Sequence, residues 1–333
     1  MTDDNNGVSR RTVMSGAAAG LAAAGLTDAA TGQGMTGTAP AALVDPTTKY
    51  PRPPFKTAMQ PFPGLASKMT PRPDHGEISY KGSGRLNGRR ALVTGGDSGM
   101  GRAAAIAFAR EGADVAISYL PAEESDAREV ADLIRQAGRK VVLLPGDIRD
   151  EKWCRTLVDR AVKELGGLDI LVNNAGRQQQ RQSLAELTSD DFDATMKTNI
   201  YATFWITKAA LPHMPAGSAI IQTTSEQAYN PSENLVDYAM TKAAMMNFTK
   251  SLAKQLGPKG IRVNGVAPGP IWTPLQVAGG ATAEKLQQFG GDTSLGRPGQ
   301  PAELGSIYVQ LAASDASFAT GQVYGAAGGT GQP

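Results

Sequence analysis

The chain has 333 residues, 41% hydrophobic and 19% charged, with a formal net charge of +2. This is ordinary globular composition. It excludes a disordered or fibrous chain and, with no basic run carrying interleaved aromatics, leaves no case for a nucleic-acid partner. One cysteine, Cys154, and two histidines, His75 and His213, exclude an intrachain disulfide and an ordinary Cys/His zinc site, so no metal is expected; neither histidine sits in a hydrolase motif.

Residues 1–41 carry the three parts of an export signal. Ser9-Arg10-Arg11-Thr12-Val13-Met14 gives a charged start, Gly16 to Leu26 an apolar Ala/Gly/Leu middle, and Ala39-Pro40-Ala41 a small-residue exit. The arginine pair points to the twin-arginine route and the periplasm. The alternative is an untargeted tail on a cytoplasmic protein. The apolar stretch is too short for a membrane span.

Residues 42–88 are rich in proline, including Pro51, Pro53, Pro54, Pro61, Pro63, Pro71 and Pro73. Proline fixes φ and removes a donor, so an extended arm is expected here rather than a helix or central strand. Phe55, Phe62, Leu65 and Met69 make it too apolar for a solvated linker. It should lie against the core domain or a neighbouring subunit.

From residue 89 to 333 the pattern is that of one domain. Arg90–Thr94, Asp114–Tyr119, Val141–Leu144, Asp169–Asn173, Ala219–Thr223 and Ile261–Val266 read as strands. Arg102–Glu111, Glu124–Ala137 and Glu151–Leu165 read as helices. Thr188 to Asp191 has capping-box spacing and opens a helix to about Leu211; a further helix surrounds Tyr238–Leu256. Short apolar strands alternating with helices predict an α/β fold, a doubly wound parallel sheet of Rossmann type with an N-terminal extension.

The first strand runs into Thr94-Gly95-Gly96-Asp97-Ser98-Gly99-Met100-Gly101. Glycines at a strand-to-helix turn let backbone approach a pyrophosphate at the helix N-terminus. The spacing resembles the T-G-x3-G-x-G of the short-chain dehydrogenase/reductase family, and other family motifs follow in order. They are Asp147-Ile148, Asn173-Asn174-Ala175-Gly176, Asn199 in mid-helix, Ser225, Tyr238-Ala239-Met240-Thr241-Lys242, and Pro268-Gly269-Pro270-Ile271-Trp272-Thr273. Gly321 to Gly325, with Gly328-Gly329, looks like the closing strand. The resemblance covers the last three-quarters of the chain, and its bacterial members with a proline-rich arm are the nearest in kind.

Tyr238 and Lys242, four apart, share a helix face. A nearby ammonium favours the phenolate, so the pair can exchange a proton with a carbinol while hydride moves to or from a nicotinamide. The Ser225 hydroxyl would meet the substrate oxygen. By resemblance, Asn199 holds a water near Lys242, and Lys242 also binds the nicotinamide ribose. The resemblance likewise gives the cofactor Gly95, Asp97, Ser98, Gly99, Met100, Gly101, Tyr119, Asp147, Ile148, Asn174, Ala175, Gly176, Pro268, Gly269, Ile271 and Thr273. The implied activity is NAD(P)-dependent oxidoreduction of an alcohol or carbonyl by a homotetramer.

NAD and NADP both remain open. The second strand ends Ser118-Tyr119-Leu120 without a carboxylate, and Arg102 is the nearest motif cation, free to face solvent. Arg177 through Arg181 either edge the pocket or form a solvated loop. Between Thr273 and Pro298, Leu275, Val277, Leu286 and Phe289 suggest a lid of modest polarity. The rival functions are a dinucleotide-binding sensor without turnover and a sugar-nucleotide epimerase. The intact Ser-Tyr-Lys set argues against the first; the glycine spacing and the lack of a sizeable C-terminal domain argue against the second.

Overall fold

The computed structural model describes residues 43–330. The export signal expected over 1–41 lies outside them. Seven strands, β1 (Arg90–Thr94), β2 (Asp114–Tyr119), β3 (Val141–Pro145), β4 (Ile170–Asn173), β5 (Ala219–Thr223), β6 (Arg262–Pro268) and β7 (Val323–Ala326), form one sheet. Their order is β3-β2-β1-β4-β5-β6-β7 and every pairing is parallel. The winding reverses between β1 and β4, which opens a crevice at the carboxyl ends of those strands.

Two hydrophobic layers cover the sheet, and the pleat explains the division. Ala91, Val93, Val115, Ile117, Ile170 and Val172 point to one face. There they pack with α1 (Gly99–Arg110), α2 (Glu124–Gln136) and a late helix, Ala302–Ala312. Their alternates Leu92, Ala116 and Leu171 point to the other face, as do Val142 and Leu144. These meet α3 (Glu151–Leu165), whose Cys154 is a buried packing residue.

The helix expected from Thr188 to Leu211 is interrupted. α4 (Ser189–Met196) passes through a π turn, Lys197–Tyr201, into α5 (Ala202–Ala210). Thr188 caps it as its spacing predicts, accepting from Asp191 N at 3.1 Å. The Asp191 carboxylate instead takes Arg177 and Arg181, both at 2.7 Å. α6 (Val236–Leu256) then carries the Tyr/Lys pair. A short α7 (Ala283–Gln287) follows in the lid, and the late helix is α8.

Between Val44 and Gly88 the only helical segment is a single 3-10 turn, Ala66–Lys68. The segment runs across the domain and buries its apolar residues there. Phe55 packs on Trp272 with ring centroids 4.5 Å apart, and Met69 joins Val277 and Leu286 in the same cluster. Backbone bonds fix the course: Phe55 N donates to Gln287 O and Gln60 N to Val277 O, while Trp272 Nε1 donates to Pro71 O at 2.8 Å. Glu111, at the end of α1, accepts from Tyr80 and from the backbone of Ser83 and Arg85.

Arg102 corrects an expectation. It does not face solvent: it is 1% exposed and reaches Glu77 of the arm and Glu129 of α2, both at 3.1 Å. Its place one turn into α1 points it at the arm rather than into the crevice. His75 is also buried, with Nδ1 at 2.9 Å from Glu77, and burial pulls its pKa down; His213 is exposed.

Candidate active site

A cavity of about 1290 Å³ occupies the crevice. One end is the glycine turn, whose shape depends on missing side chains. Gly95 and Gly99 have φ of +61° and +52°. A Cβ on Gly101 would lie 2.0 Å from the Gly95 carbonyl oxygen, so that glycine closes the turn from behind rather than lining the cavity. Asn174 splints the turn, donating Nδ2 to the carbonyls of Thr94 and Gly95 at 3.1 Å each and accepting from Thr223 Oγ1 at 3.2 Å. Thr273 lies against Gly99.

The cavity wall includes nearly all the residues expected from sequence. Gly95, Asp97, Ser98, Gly99, Met100, Tyr119, Asp147, Ile148, Asn174, Ala175, Gly176, Ser225, Tyr238, Lys242, Pro268, Gly269, Ile271 and Thr273 line it; Gly101 and Asn199 do not. A glycine-floored cradle at the N-terminus of α1, continuous with a slot long enough to pass β4 and reach α6, fits a dinucleotide.

At the far end, Lys242 is buried with its Nζ donating to Thr223 O at 2.7 Å and lying 5.3 Å from the Tyr238 ring centre. Burial pulls the Lys242 amine down to about 7. Burial also pushes the Tyr238 phenol up to about 12, with the neighbouring Ser225 hydroxyl pulling the other way. The sequence predicts a lowered phenol; burial raises it instead. Ser225 Oγ accepts from Gln227 N at 3.1 Å, which fixes the hydroxyl.

Asn199 sits in the π turn, a distortion that often marks functional sites. Its side chain clasps the β4 exit. Oδ1 accepts from Arg177 N at 2.8 Å, while Nδ2 donates to Arg177 O at 3.0 Å and to Thr241 Oγ1 at 2.9 Å.

The loop after β4 edges the cavity through Arg177, Gln178 and Gln180. It also ties down the lid: Gln178 donates to Gly280 O, Gln179 to Ala278 O, and Gln180 N to Gly279 O.

Sequence reasoning missed three carboxylates here, Glu123, Glu226 and Asp292. Glu123 brings one to the end of β2, where none was expected; it accepts from Leu120 N at 2.8 Å and lines the cavity near Asp97. Burial, then Asp97 and Asp126, push its carboxyl up to about 9, and burial raises that of Asp97 to about 6. The signal was Leu120-Pro121-Ala122-Glu123, the glutamate half of a capping box with proline at N1. The second is Glu226, which follows Ser225 and also lines the cavity. The arm contributes Arg52, Pro53, Phe62, Pro63 and Gly64 to the wall.

A family profile described as Enoyl-(Acyl carrier protein) reductase matches residues 95–330. The oxidoreductase YghA of Escherichia coli (strain K12) is 57% identical over 287 residues, covering 86% of this chain and 98% of YghA. The glucose and ribitol dehydrogenase of Daucus carota is 42% identical, covering 83% of this chain and 96% of its own. Among solved structures, a short chain dehydrogenase from Burkholderia cenocepacia J2315 in complex with NADP is 37% identical. It superposes with a TM-score of 0.67 over 74% of this chain and 98% of that one.

Proposed function

The chain belongs to the short-chain dehydrogenase/reductase family and is a nicotinamide-nucleotide-dependent oxidoreductase; on that premise we propose that Tyr238 is its acid/base. The observation that carries this reading is the meeting of Ser225, Tyr238 and Lys242 at one end of the cavity whose other end is the glycine turn. The turn, Asn174 and Lys242 would hold the cofactor, which supplies or accepts hydride when bound.

Burial keeps the Tyr238 phenol protonated across neutral pH, so in the free protein it is set to give a proton to a carbonyl oxygen. Ser225 Oγ, fixed by Gln227 N, steadies that oxygen as charge develops. Alcohol oxidation requires the phenolate, which Lys242 favours when its amine is protonated. Asn199, its side chain fixed by Arg177 and Thr241, would hold a water near Lys242 as a proton path. The test is absorbance of the reduced nicotinamide ring with a panel of alcohols and carbonyls, in wild type and Tyr238→Phe. Equal turnover in both would remove Tyr238 from the mechanism.

Two further readings belong to this proposal. The protein is a homotetramer, supported by the family resemblance and by the exposed apolar side chains of Tyr201, Phe204, Val236 and Met240 on α5, α6 and the π turn. Light scattering reads the mass, and a monomer would refute it. Residues 1–41 direct twin-arginine export, supported by Arg10-Arg11 and the Ala-rich stretch after them. Replacing both arginines with lysine should hold a folded, active protein in the cytoplasm; wild type found there uncleaved would refute export.

A further inference from the structure

The substrate end of the cavity mixes apolar side chains, among them Leu235, Leu275 and Phe289, with polar ones that the hydride-transfer machinery does not use. Glu226 is central to them. It opens a one-turn 3-10 segment directly after Ser225, lines the cavity, and acts electrostatically on the Tyr238 hydroxyl. Its Oε2 accepts the Thr330 hydroxyl at 2.6 Å, which pins the carboxylate to the C-terminal segment. Among the described residues no donor reaches Oε1.

The charges around it are unevenly spent. The guanidiniums that line the cavity are occupied: Arg52 by the carbonyls of Thr47 and Leu295, Arg149 by Asp147, Arg177 by Asp191. Lys242 is bonded to Thr223, and Lys285 is exposed at the rim. Burial raises the Glu226 carboxyl, and a second carboxylate lining the same cavity, Asp292, adds to that. The neutral polar groups beside them include Gln180, whose Nε2 is buried with no partner among the described residues.

We propose that Glu226 is the specificity residue of the substrate pocket: Oε1 accepts a hydroxyl of a polyhydroxylated substrate that carries no anionic group, and the carboxylate turns away substrates bearing a carboxylate or phosphate. This rests on the Tyr238 reading, which places the reacting carbon at this end of the cavity. A pocket that offers hydrogen-bond acceptors and leaves them unpaired rejects substrates lacking the matching hydroxyls. A like charge brought beside a half-buried carboxylate is penalised further.

The experiment compares kcat/KM of wild type, Glu226→Gln and Tyr238→Phe for ribitol, ribitol 5-phosphate and 1-amino-1-deoxyribitol. Thermal melting of each variant is measured alongside. The wild type should favour ribitol over its phosphate by about a hundredfold. Glu226→Gln should narrow that gap about tenfold and raise KM for ribitol, with an unchanged melting temperature. An unaltered phosphate ratio in Glu226→Gln overturns the proposal, as does wild-type preference for the phosphate; the amine should lose ground to ribitol in Glu226→Gln, and an amine ratio that does not fall overturns it too. Turnover of none of the three by a wild type that reduces a simple aldehyde overturns the polyol assignment. Turnover retained in Tyr238→Phe would instead sink the catalytic reading, while the charge ratios would still judge Glu226.

Discussion

The two ends of the cleft are built by different means. The nucleotide end is a local construction: one glycine turn, splinted by Asn174, at the head of α1. The substrate end gathers side chains from the arm, the loop after β4, the turn after β5, α6, the lid and Thr330. A site made from contiguous backbone can be read from spacing alone. One made from six separated segments depends on the fold to bring them together.

The sharpest way to break the comparison is to remove one hydroxyl from the substrate end. Tyr238→Phe should lower kcat by about 10²–10⁴ and leave nucleotide affinity little changed, measured by fluorescence titration. A joint fall in both would mean that the two ends are not separable.

The arm tests how far the substrate end depends on distant chain. Phe55 is 5% exposed and stacks on Trp272, in the cluster that carries the lid residues Val277 and Leu286. Phe55→Ala should cost about 3–5 kcal/mol, expressed as release of the arm. Limited proteolysis should then cut within 44–88 before the domain, and KM should rise more than nucleotide affinity falls. Protection equal to wild type would show that the arm is held by its hydrogen bonds alone.

At the nucleotide end, Gly101→Ala places a Cβ 2.0 Å from the Gly95 carbonyl oxygen and 2.5 Å from Asn174 Nδ2. Neither can yield without opening the turn. Stability should fall by about 1–3 kcal/mol in urea, with weaker nucleotide binding. Intact binding would mean that the splint, rather than the glycine, sets the turn.

Particular residues show what was legible. The strands Arg90–Thr94, Asp114–Tyr119 and Ala219–Thr223 keep the bounds that their apolar runs predict, because a strand buried on both faces has no other composition available. The Thr188 cap was readable, being a contact over three residues, but the π turn at Lys197–Tyr201 was not, since one extra residue in a helix barely disturbs the apolar stripe. Arg102 was misread because its partners lie 25 and 27 positions away, and one of them belongs to the arm. Glu226 has no pattern at all: its meaning comes from Ser225 before it and Thr330, 104 residues on.

The smallest effect concerns Lys242, where both ends of the cleft meet. Its amine, ordinarily near 10.5, is held at about 7 by burial. Between these values the folded protein has shed a proton that the unfolded chain keeps. The unfolded state then binds more protons, so this group makes stability rise with pH from about 7 upward, and its penalty is complete below 7. Glu123 works in the opposite direction, since its carboxyl, raised to about 9, stays protonated in the folded protein while the unfolded one is ionised. The wild-type slope alone therefore does not decide the matter. The difference between wild type and Lys242→Met does, because Glu123 is common to both. Urea denaturation at pH 7.5 and 8.5 should show wild type gaining up to about 1.4 kcal/mol relative to Lys242→Met over that unit. Parallel slopes would mean that Lys242 keeps its charge when buried, held by the Thr223 carbonyl, and that the ammonium is already in place before any substrate arrives.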